Sequence, residues 1–405
     1  MEDVICQRVP VVFEYPVHFT RGLFELDNPL LARVIAADQE PGSRKLLPVV
    51  DAGLLRHHPT LLEKLSVYAA SRLAVPLQSP LIVPGGEDVK NDPSLPESVH
   101  DAIHGGGLCR HSYVLAIGGG AMLDMAGFAA ATAHRGVRLI RVPTTVLAQN
   151  DSGVGVKNGI NAFGKKNFLG SFAPPYAVLN DYAWLTSLEE RDWRAGVAEA
   201  IKVALIKDAN FFAFIAEHVQ LLVERDMSAM RELIYRCAEL HLMHIATAGD
   251  PFETGSSRPL DFGHWSAHKL EQMTDYRLRH GEAVAIGIAL DSVYSHLAGL
   301  LPRGDLEQVL NVLHAAGLPL YTPELEAAGE TAMDLCVFQG LNEFKEHLGG
   351  ELTITLLGGI GQAIDIHEVD LALYRRAVSE LRVRTGTIHR RCTLRPRNFS
   401  IIDSG

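Results

Sequence analysis

"SYVLAIGGGAMLDMAGFAAATAHRG", Ser112–Gly136, is the stretch on which the fold class turns. It opens on a short apolar run, passes through Gly118, Gly119 and Gly120, and continues as an alanine-rich segment with no helix breaker. That order predicts a strand, a tight turn and a helix. The same alternation flanks it. "KLLPVVDAGL" (Lys45–Leu54), "PLIVPGGE" (Pro80–Glu87) and "VRLIRVPTT" (Val137–Thr145) each read as a strand ending in a turn. Strands alternating with helical segments predict a parallel sheet covered on both faces. Three glycines at a helix start allow close backbone approach to a pyrophosphate, which the helix N-terminus favours. Asp124 lies one turn inside that helix. The run is not GxGxxG and has no acid at the usual offset, so a plain tight turn stays an equal alternative. Asp51, Glu87 and Lys90 stand at neighbouring strand ends, where open α/β sheets bind ligands. Each taken singly reads as a solvated loop charge.

From Tyr182 onward the pattern is mainly helical. "RAGVAEAIKVALIKDANFFAFIAEHVQLLV" (Arg194–Val223) and "MRELIYRCAELHLMHIATA" (Met230–Ala248) both follow a helical period. The expected organisation is an α/β, Rossmann-like parallel-sheet domain over residues 1–182 and an all-α domain over 183–405. Within the second, "GGELTITLLGGIGQAIDI" (Gly349–Ile366) predicts a small hairpin. The final "RTGTIHRRCTLRPRNFSIIDSG" (Arg384–Gly405) reads as a loosely held tail.

The chain has 405 residues, 47% of them hydrophobic, enough for large buried cores. A formal charge of −11 disfavours nucleic-acid and anionic-membrane partners, yet leaves room for a local basic pocket. The start, "MEDVICQRVPVVFEYP", lacks an uninterrupted apolar run and reads as no signal peptide. "EAVAIGIALDSVYSHLAGLL" is interrupted by Asp291 and His296, which predicts a buried helix rather than a membrane span. Five dispersed cysteines without a CxxC fit free thiols in a reducing cytoplasm.

Two histidines four apart, His264 and His268 in "LDFGHWSAHKLE", can share one helical face, and His280 follows in "RHGEAVAIGIAL". HxxxH arises easily by chance, and the glutamate of HExxH is missing. Glu199, in the apolar "GVAEAIKVALIKD", would complete a set suited to Zn2+. With Lys202 one turn on, it could equally be a helix-surface ion pair. The segment Asp151–Asn167 carries Lys157, Lys165, Lys166 and Asn167 among glycines. It reads as a mobile loop, able to bind phosphate or merely solvated.

Together these pieces resemble the dehydroquinate synthase-like family, the sugar phosphate cyclases. The resemblance runs from about Asp51 to Asp365. It is carried by "GGGAMLDMAGFAAATAHRG", "VPTTVLAQNDSGVGVKNGINAFGKKNFLGSF", "AGVAEAIKVALIKD", "FGHWSAHKLE" and "HGEAVAIG". It implies an NAD-binding α/β domain, a helical domain and a homodimer acting on a small sugar phosphate. Glu199, His264 and His280 match the metal ligands for Zn2+ or Co2+. His268 matches a position that touches the leaving phosphate and assists proton transfer. Lys157, Asn167, Lys202, Arg135 and Asp151 match substrate contacts. Asp51, Glu87, Lys90, Gly119, Gly120, Asp124, Thr144, Thr145 and Lys166 match NAD contacts, with Gly118 opening the turn. The implied chemistry is transient oxidation of a ring hydroxyl, β-elimination of phosphate, return of the hydride, ring opening and an intramolecular aldol.

Within the family, dehydroquinate synthases hold a substrate carboxylate with a lysine and an arginine. Read back from His264, those positions are Met243 and Ser257, and a neighbouring asparagine is Asp261. Arg258, one residue on, could partly compensate. Losing two charge-assisted hydrogen bonds of ~1.5–3 kcal/mol each disfavours a carboxylate. An acid at Asp261 accepts from hydroxyls instead. The implied substrate is sedoheptulose 7-phosphate, to which "DSGVGVK" and "FKEHLGGELTITLL" also point. Retention of His268, where 2-epi-5-epi-valiolone synthases usually carry proline, is more like the 2-epi-valiolone synthases. A metal-dependent polyol dehydrogenase is the competing enzyme class, against which the lysine-rich loop argues. A non-catalytic NAD-binding regulator is the third.

Overall fold

The computed structural model describes residues 4–37, 43–247, 252, 259–329 and 335–393. The chain divides into two compact units, Met1–Leu188 and Glu189–Gly405. The division falls after the turn Tyr182–Ser187, rather than at Tyr182 as the sequence suggests. That turn stays with the first unit because Asp181 caps it through the Ala183 N–H, and Trp184 packs into the first unit's core.

The first unit is a six-stranded, all-parallel sheet. Its strands are β1 (Val17–Thr20), β2 (Leu46–Asp51), β3 (Leu81–Val83), β4 (Tyr113–Gly118), β5 (Arg138–Pro143) and β8 (Ala177–Asp181). Their spatial order is β1-β8-β5-β4-β2-β3. Successive side chains of a strand face opposite ways. Along β4, Tyr113, Leu115 and Ile117 therefore enter one core while Val114 and Ala116 enter the other. Burial on both faces explains why β4 reads as an unbroken apolar run. The edge strand β1 and strand β8 have no clear signature in the sequence. Both are short, and β1 is only half-buried.

The lysine-rich segment is not a mobile loop. It forms an antiparallel hairpin of β6 (Lys157–Ala162) and β7 (Lys165–Phe172). Phe163 and Gly164 both have positive φ (53° and 70°), the geometry of the tight turns that join antiparallel strands.

The second unit is largely helical, with one hairpin of β9 (Ile354–Gly359) and β10 (Gln362–Ile366) where the sequence predicts it. At its centre lies the helix His280–Leu297, buried from Ala283 through Ser295. No described helix is long and apolar enough to cross a membrane. The described cysteines Cys6, Cys109, Cys237 and Cys336 form no disulfide. Arg384 is no part of a loose tail. The helix Leu371–Thr393 carries it, and Glu307 holds its guanidinium through two 2.9 Å bonds. Residues 394–405 lie outside the described residues.

Asp291 interrupts the apolar run of the central helix for a structural reason. Its Oδ1 accepts from Trp265 Nε1 and from the Tyr374 hydroxyl, both at 3.0 Å. Three helices are thereby tied at one fully buried atom. Burial pushes this carboxyl up to about 7, against the opposing pull of Trp265, Tyr374 and the Gly263 backbone. An acid whose folded value lies above its ordinary 3.8 stabilises the fold fully below that value and loses its contribution as pH rises through about 7. Asp291→Asn keeps the acceptor and removes the charge. Urea midpoints at pH 5 and pH 8 should show the variant gaining on the wild type as pH rises. An equal difference at both pH values would refute this.

Candidate functional site

In the second unit, three helices deliver Glu199, His264 and His280 to one point. Glu199 lies within the helix Glu190–Lys207, and both its carboxylate oxygens are buried. His264 opens the helix His264–Met273, and His280 opens the central helix. Backbone contact makes this convergence possible. Gly263 sits at φ 75°, and a Cβ on Gly287 would stand 2.0 Å from the Gly263 carbonyl oxygen. A Cβ on Gly281 would stand 2.2 Å from that of Ala195. Any larger residue at these positions would push the helices apart. The start of the central helix is fixed further by Glu282, which accepts from the Arg279 backbone N–H and from the fork of Arg191.

Glu199 Oε1 faces His280 Nε2 at 3.3 Å and His264 Nε2 at 3.6 Å. Ligand atoms ~2.0–2.1 Å from a tetrahedral Zn2+ lie roughly 3.3 Å apart, so these separations fit a shared cation. Each imidazole has its other nitrogen engaged. His264 Nδ1–H donates to the Phe262 carbonyl at 3.1 Å, and His280 Nδ1–H donates to Glu271 Oε2 at 3.1 Å. This fixes the tautomer that turns both Nε2 lone pairs toward Glu199, as metal-binding histidines require. Burial, then the Lys202 charge, pull His264 down to about 4, so its ring is neutral. Burial pushes Glu199 up, but Lys202 and the two imidazoles outweigh it and hold the carboxyl well below its ordinary value.

Lys202 Nζ stands 2.5 Å from Glu199 Oε2, with both residues buried, so the pair is no surface ion pair. Neither Glu199 oxygen has a hydrogen bond of good geometry despite that contact. A buried carboxylate oxygen, Oε1, that faces two imidazole nitrogens without a hydrogen bond suits a cation. His268 is half-buried, its ring 5.3 Å from His264 and 6.0 Å from His280. It groups with Glu271 and His280 rather than with Glu199. Asp261 closes the short turn Pro259–Asp261 just before this helix, and its charge acts on the His264 ring. Met243 is 54% exposed on the helix Met227–Thr247. Ser257 and Arg258 lie outside the described residues.

In the first unit, the proposed dinucleotide residues gather at the carboxyl ends of β2 to β5. Gly118 ends β4, Gly119 caps the helix Gly120–Thr132, and Thr144 N–H donates to the Gly118 carbonyl at 3.0 Å. A Cβ on Gly118 would meet Asp51 Cβ at 2.9 Å, and one on Gly120 would meet Ser152 Oγ at 2.4 Å. Thr145 lies 3.5 Å from the corresponding point at Gly119. Burial raises the Asp51 carboxyl, while the backbone N–H groups of Gly53, Leu54 and Gly119 oppose that rise. Asp51 is therefore already an acceptor for the turn itself. Lys90 is buried and paired with Asp124 at 2.8 Å, and Lys166 lies 3.7 Å from Glu87. These are not independent solvated charges.

Asp151 sits in the π turn Ala148–Ser152, Lys157 begins β6, and Asn167 takes φ 55° with its N–H donated to Asn161. Arg135 is not brought to this group. It follows the far end of the helix Gly120–Thr132, roughly 20 Å from the glycine turn at 1.5 Å per residue.

Sequence reasoning missed Glu271, which orients His280, and Arg141, which is buried in β5. The second had a signal: a lone charge inside "VRLIRVP". Glu271, in an ordinary helical sequence, had none.

The chain matches known proteins over most of its length. Residues 80–195 match the family model for the 3-dehydroquinate synthase N-terminal domain, and residues 196–336 match the C-terminal one. A 2-epi-5-epi-valiolone synthase of Streptomyces glaucescens is 34% identical over 88% of this chain and 88% of its own. A 3-dehydroquinate synthase of Halorhodospira halophila is 37% identical over 86% and 92%. The structure of 2-epi-5-epi-valiolone synthase from Streptomyces hygroscopicus, with NAD+ and Zn2+ bound, superposes with a TM-score of 0.82 at 31% identity. It covers 93% of this chain and all of that one.

If Glu271 orients a metal ligand, Glu271→Ala should weaken Zn2+ affinity about 10–100-fold. Chelator-competition titration measures this. An unchanged affinity in a folded variant would remove Glu271 from the centre. Motifs, sequence relatives and superposition all lead to one conclusion: the chain belongs to the dehydroquinate synthase-like family of sugar phosphate cyclases.

Proposed function

We propose that this protein is an NAD- and metal-dependent carbon–oxygen lyase. It converts sedoheptulose 7-phosphate into the C7 cyclitol 2-epi-valiolone and releases phosphate. The observation that carries the reading is the buried Glu199 carboxylate facing two Nε2 atoms whose rings are held in the ligating tautomer. The relative from Streptomyces hygroscopicus, with NAD+ and Zn2+ bound, supports the choice of cofactors.

When bound, the dinucleotide supplies a reversible hydride acceptor, and Zn2+ or Co2+ a Lewis acid toward substrate oxygen. Glu199, His264 and His280 would hold the ion. Gly118, Gly119, Gly120, Asp51, Glu87, Lys90, Asp124, Thr144, Thr145 and Lys166 would hold the dinucleotide. Lys157 and Asn167 bind the phosphate group, one as a cation and the other as an amide donor. Asp151 and Lys202 orient the sugar. His268 accepts and returns a proton at its ring nitrogen. Phosphate held by fixed donors is positioned to take the proton that its own departure requires.

Asp261 decides the non-reacting end of the substrate. Its charge acts on His264, so a substrate carboxylate nearby would be repelled, whereas a hydroxymethyl group can donate to it. Arg135, remote from its own glycine turn, fits a substrate role only in a homodimer, where it would serve the other copy. The enzyme would work in the cytoplasm.

Similarity to the Streptomyces relatives favours a second reading, a 2-epi-5-epi-valiolone synthase. One incubation separates the readings: enzyme, NAD+, Zn2+ or Co2+, and either sedoheptulose 7-phosphate or the carboxylated sugar phosphate of dehydroquinate synthases. Phosphate release and an NMR-identified 2-epi-valiolone from the first sugar, without net NADH, is the expected result. The 5-epimer supports the second reading. Turnover of the carboxylated sugar alone indicates a diverged dehydroquinate synthase. NADH accumulating without phosphate release indicates a polyol dehydrogenase.

Glu199→Ala or His280→Ala should abolish both metal binding and turnover, and a fully active variant would overturn the metal assignment. Met243→Lys combined with Ser257→Arg should raise the preference for the carboxylated sugar by about 10-fold or more. Competition kinetics with both sugars reads the shift, and no change counts against the account of the pocket.

A further inference from the structure

Strand β5 carries Arg141 through the middle of the first unit's sheet, between Ile140 and Val142, with no exposed surface. A guanidinium in such a place needs several acceptors. It has four, and none is a carboxylate. One terminal nitrogen donates to the Gly153 carbonyl at 3.1 Å and to that of Gly155 at 2.8 Å. The other donates to the Lys157 carbonyl at 2.8 Å and to Asn158 Oδ1 at 2.7 Å. Three alternate carbonyls of one short segment thus converge on a single side chain. The segment contains two glycines, whose backbone freedom would otherwise be large. Tyr15 adds a hydroxyl to the intervening Val154 carbonyl at 2.9 Å.

Asn158 extends the connection. Its Nδ2 donates to the Ala173 carbonyl, just past β7. Its Oδ1 lies so near Gly127 of the helix Gly120–Thr132 that a Cβ there would be 1.8 Å away. One guanidinium therefore links the sheet, both ends of the β6–β7 hairpin and the helix that starts at the glycine turn. Fixing the Lys157 carbonyl fixes the direction in which its exposed side chain leaves the backbone.

We propose that Arg141 is a positioning residue for the phosphate end of the substrate. It holds Gly153–Asn158 in the conformation that presents Lys157. The proposal rests on the cyclase reading for what Lys157 binds, but not for the hold on the segment. Arginine suits the task because its fork spreads donors over two nitrogens, each serving two acceptors. Lysine concentrates three donors on one atom.

The test uses the full chain with Arg141→Gln and Arg141→Lys. The lysine variant retains a cation should the glutamine variant fail to fold. Hydrogen exchange in peptides covering 153–158 should accelerate about 10-fold or more in either variant, with Tyr113–Gly118 as protected as in the wild type. KM for sedoheptulose 7-phosphate should rise about 10-fold, with kcat and the NAD+ Kd within about 2-fold. Unchanged exchange in 153–158 overturns the proposal, whatever the wild type catalyses. So does a parallel loss of sugar phosphate and NAD+ affinity, which would mark general damage. Accelerated exchange in a protein whose wild type lacks cyclase activity would sink the cyclase reading while leaving the hold of Arg141 on its segment established.

Discussion

A carboxylate without access to water must be compensated on every side, and Glu199 is such a group. The second unit is arranged around that requirement. The Lys202 ammonium covers one oxygen, and two imidazole nitrogens face the other. The histidines could have answered the charge by taking protons. Burial prevents this at His264, whose ring stays neutral. What remains is a negative oxygen and two lone pairs aimed at a common point, which a divalent cation satisfies and little else does. The glycines at 263, 281 and 287 serve the same end, because only bare backbones let these helices approach closely enough.

The first unit solves a different problem. Its parallel strands end together, and the turns beyond them carry acids and lysines close to one another. Left uncompensated, those charges would disturb the turns. Lys90 answers Asp124, and backbone N–H groups answer Asp51. The glycine turn is thus surrounded by groups already held in place, so a ligand meeting it there would face a low ordering cost.

Much of this was legible in the sequence, and the limits have physical causes. Period-two burial on both sheet faces leaves an apolar run that anyone can read, so β4 and its helix were plain. The edge strand β1 is half-buried and pairs with only one neighbour, so it left no comparable trace. The lysine-rich hairpin looked like a loop because its glycines and lysines hide the pairing of β6 with β7, and local composition does not reveal that Arg141 holds the segment leading into it. The convergence of Glu199, His264 and His280 was legible through their motifs, not through HxxxH spacing, which would have paired His264 with His268. Glu271 stayed hidden because an orienting residue is defined by what it touches.

The bond network at Asp291 gives the last helix an unexpected importance. Tyr374 grips the same oxygen as Trp265, the residue beside His264. Trimming the carboxy-terminal arm back past that tyrosine would leave Asp291 Oδ1 with the Trp265 indole but without the phenolic hydroxyl. The buried carboxyl would then join two helices instead of three, and the helix that His264 opens would be held less firmly from its far side.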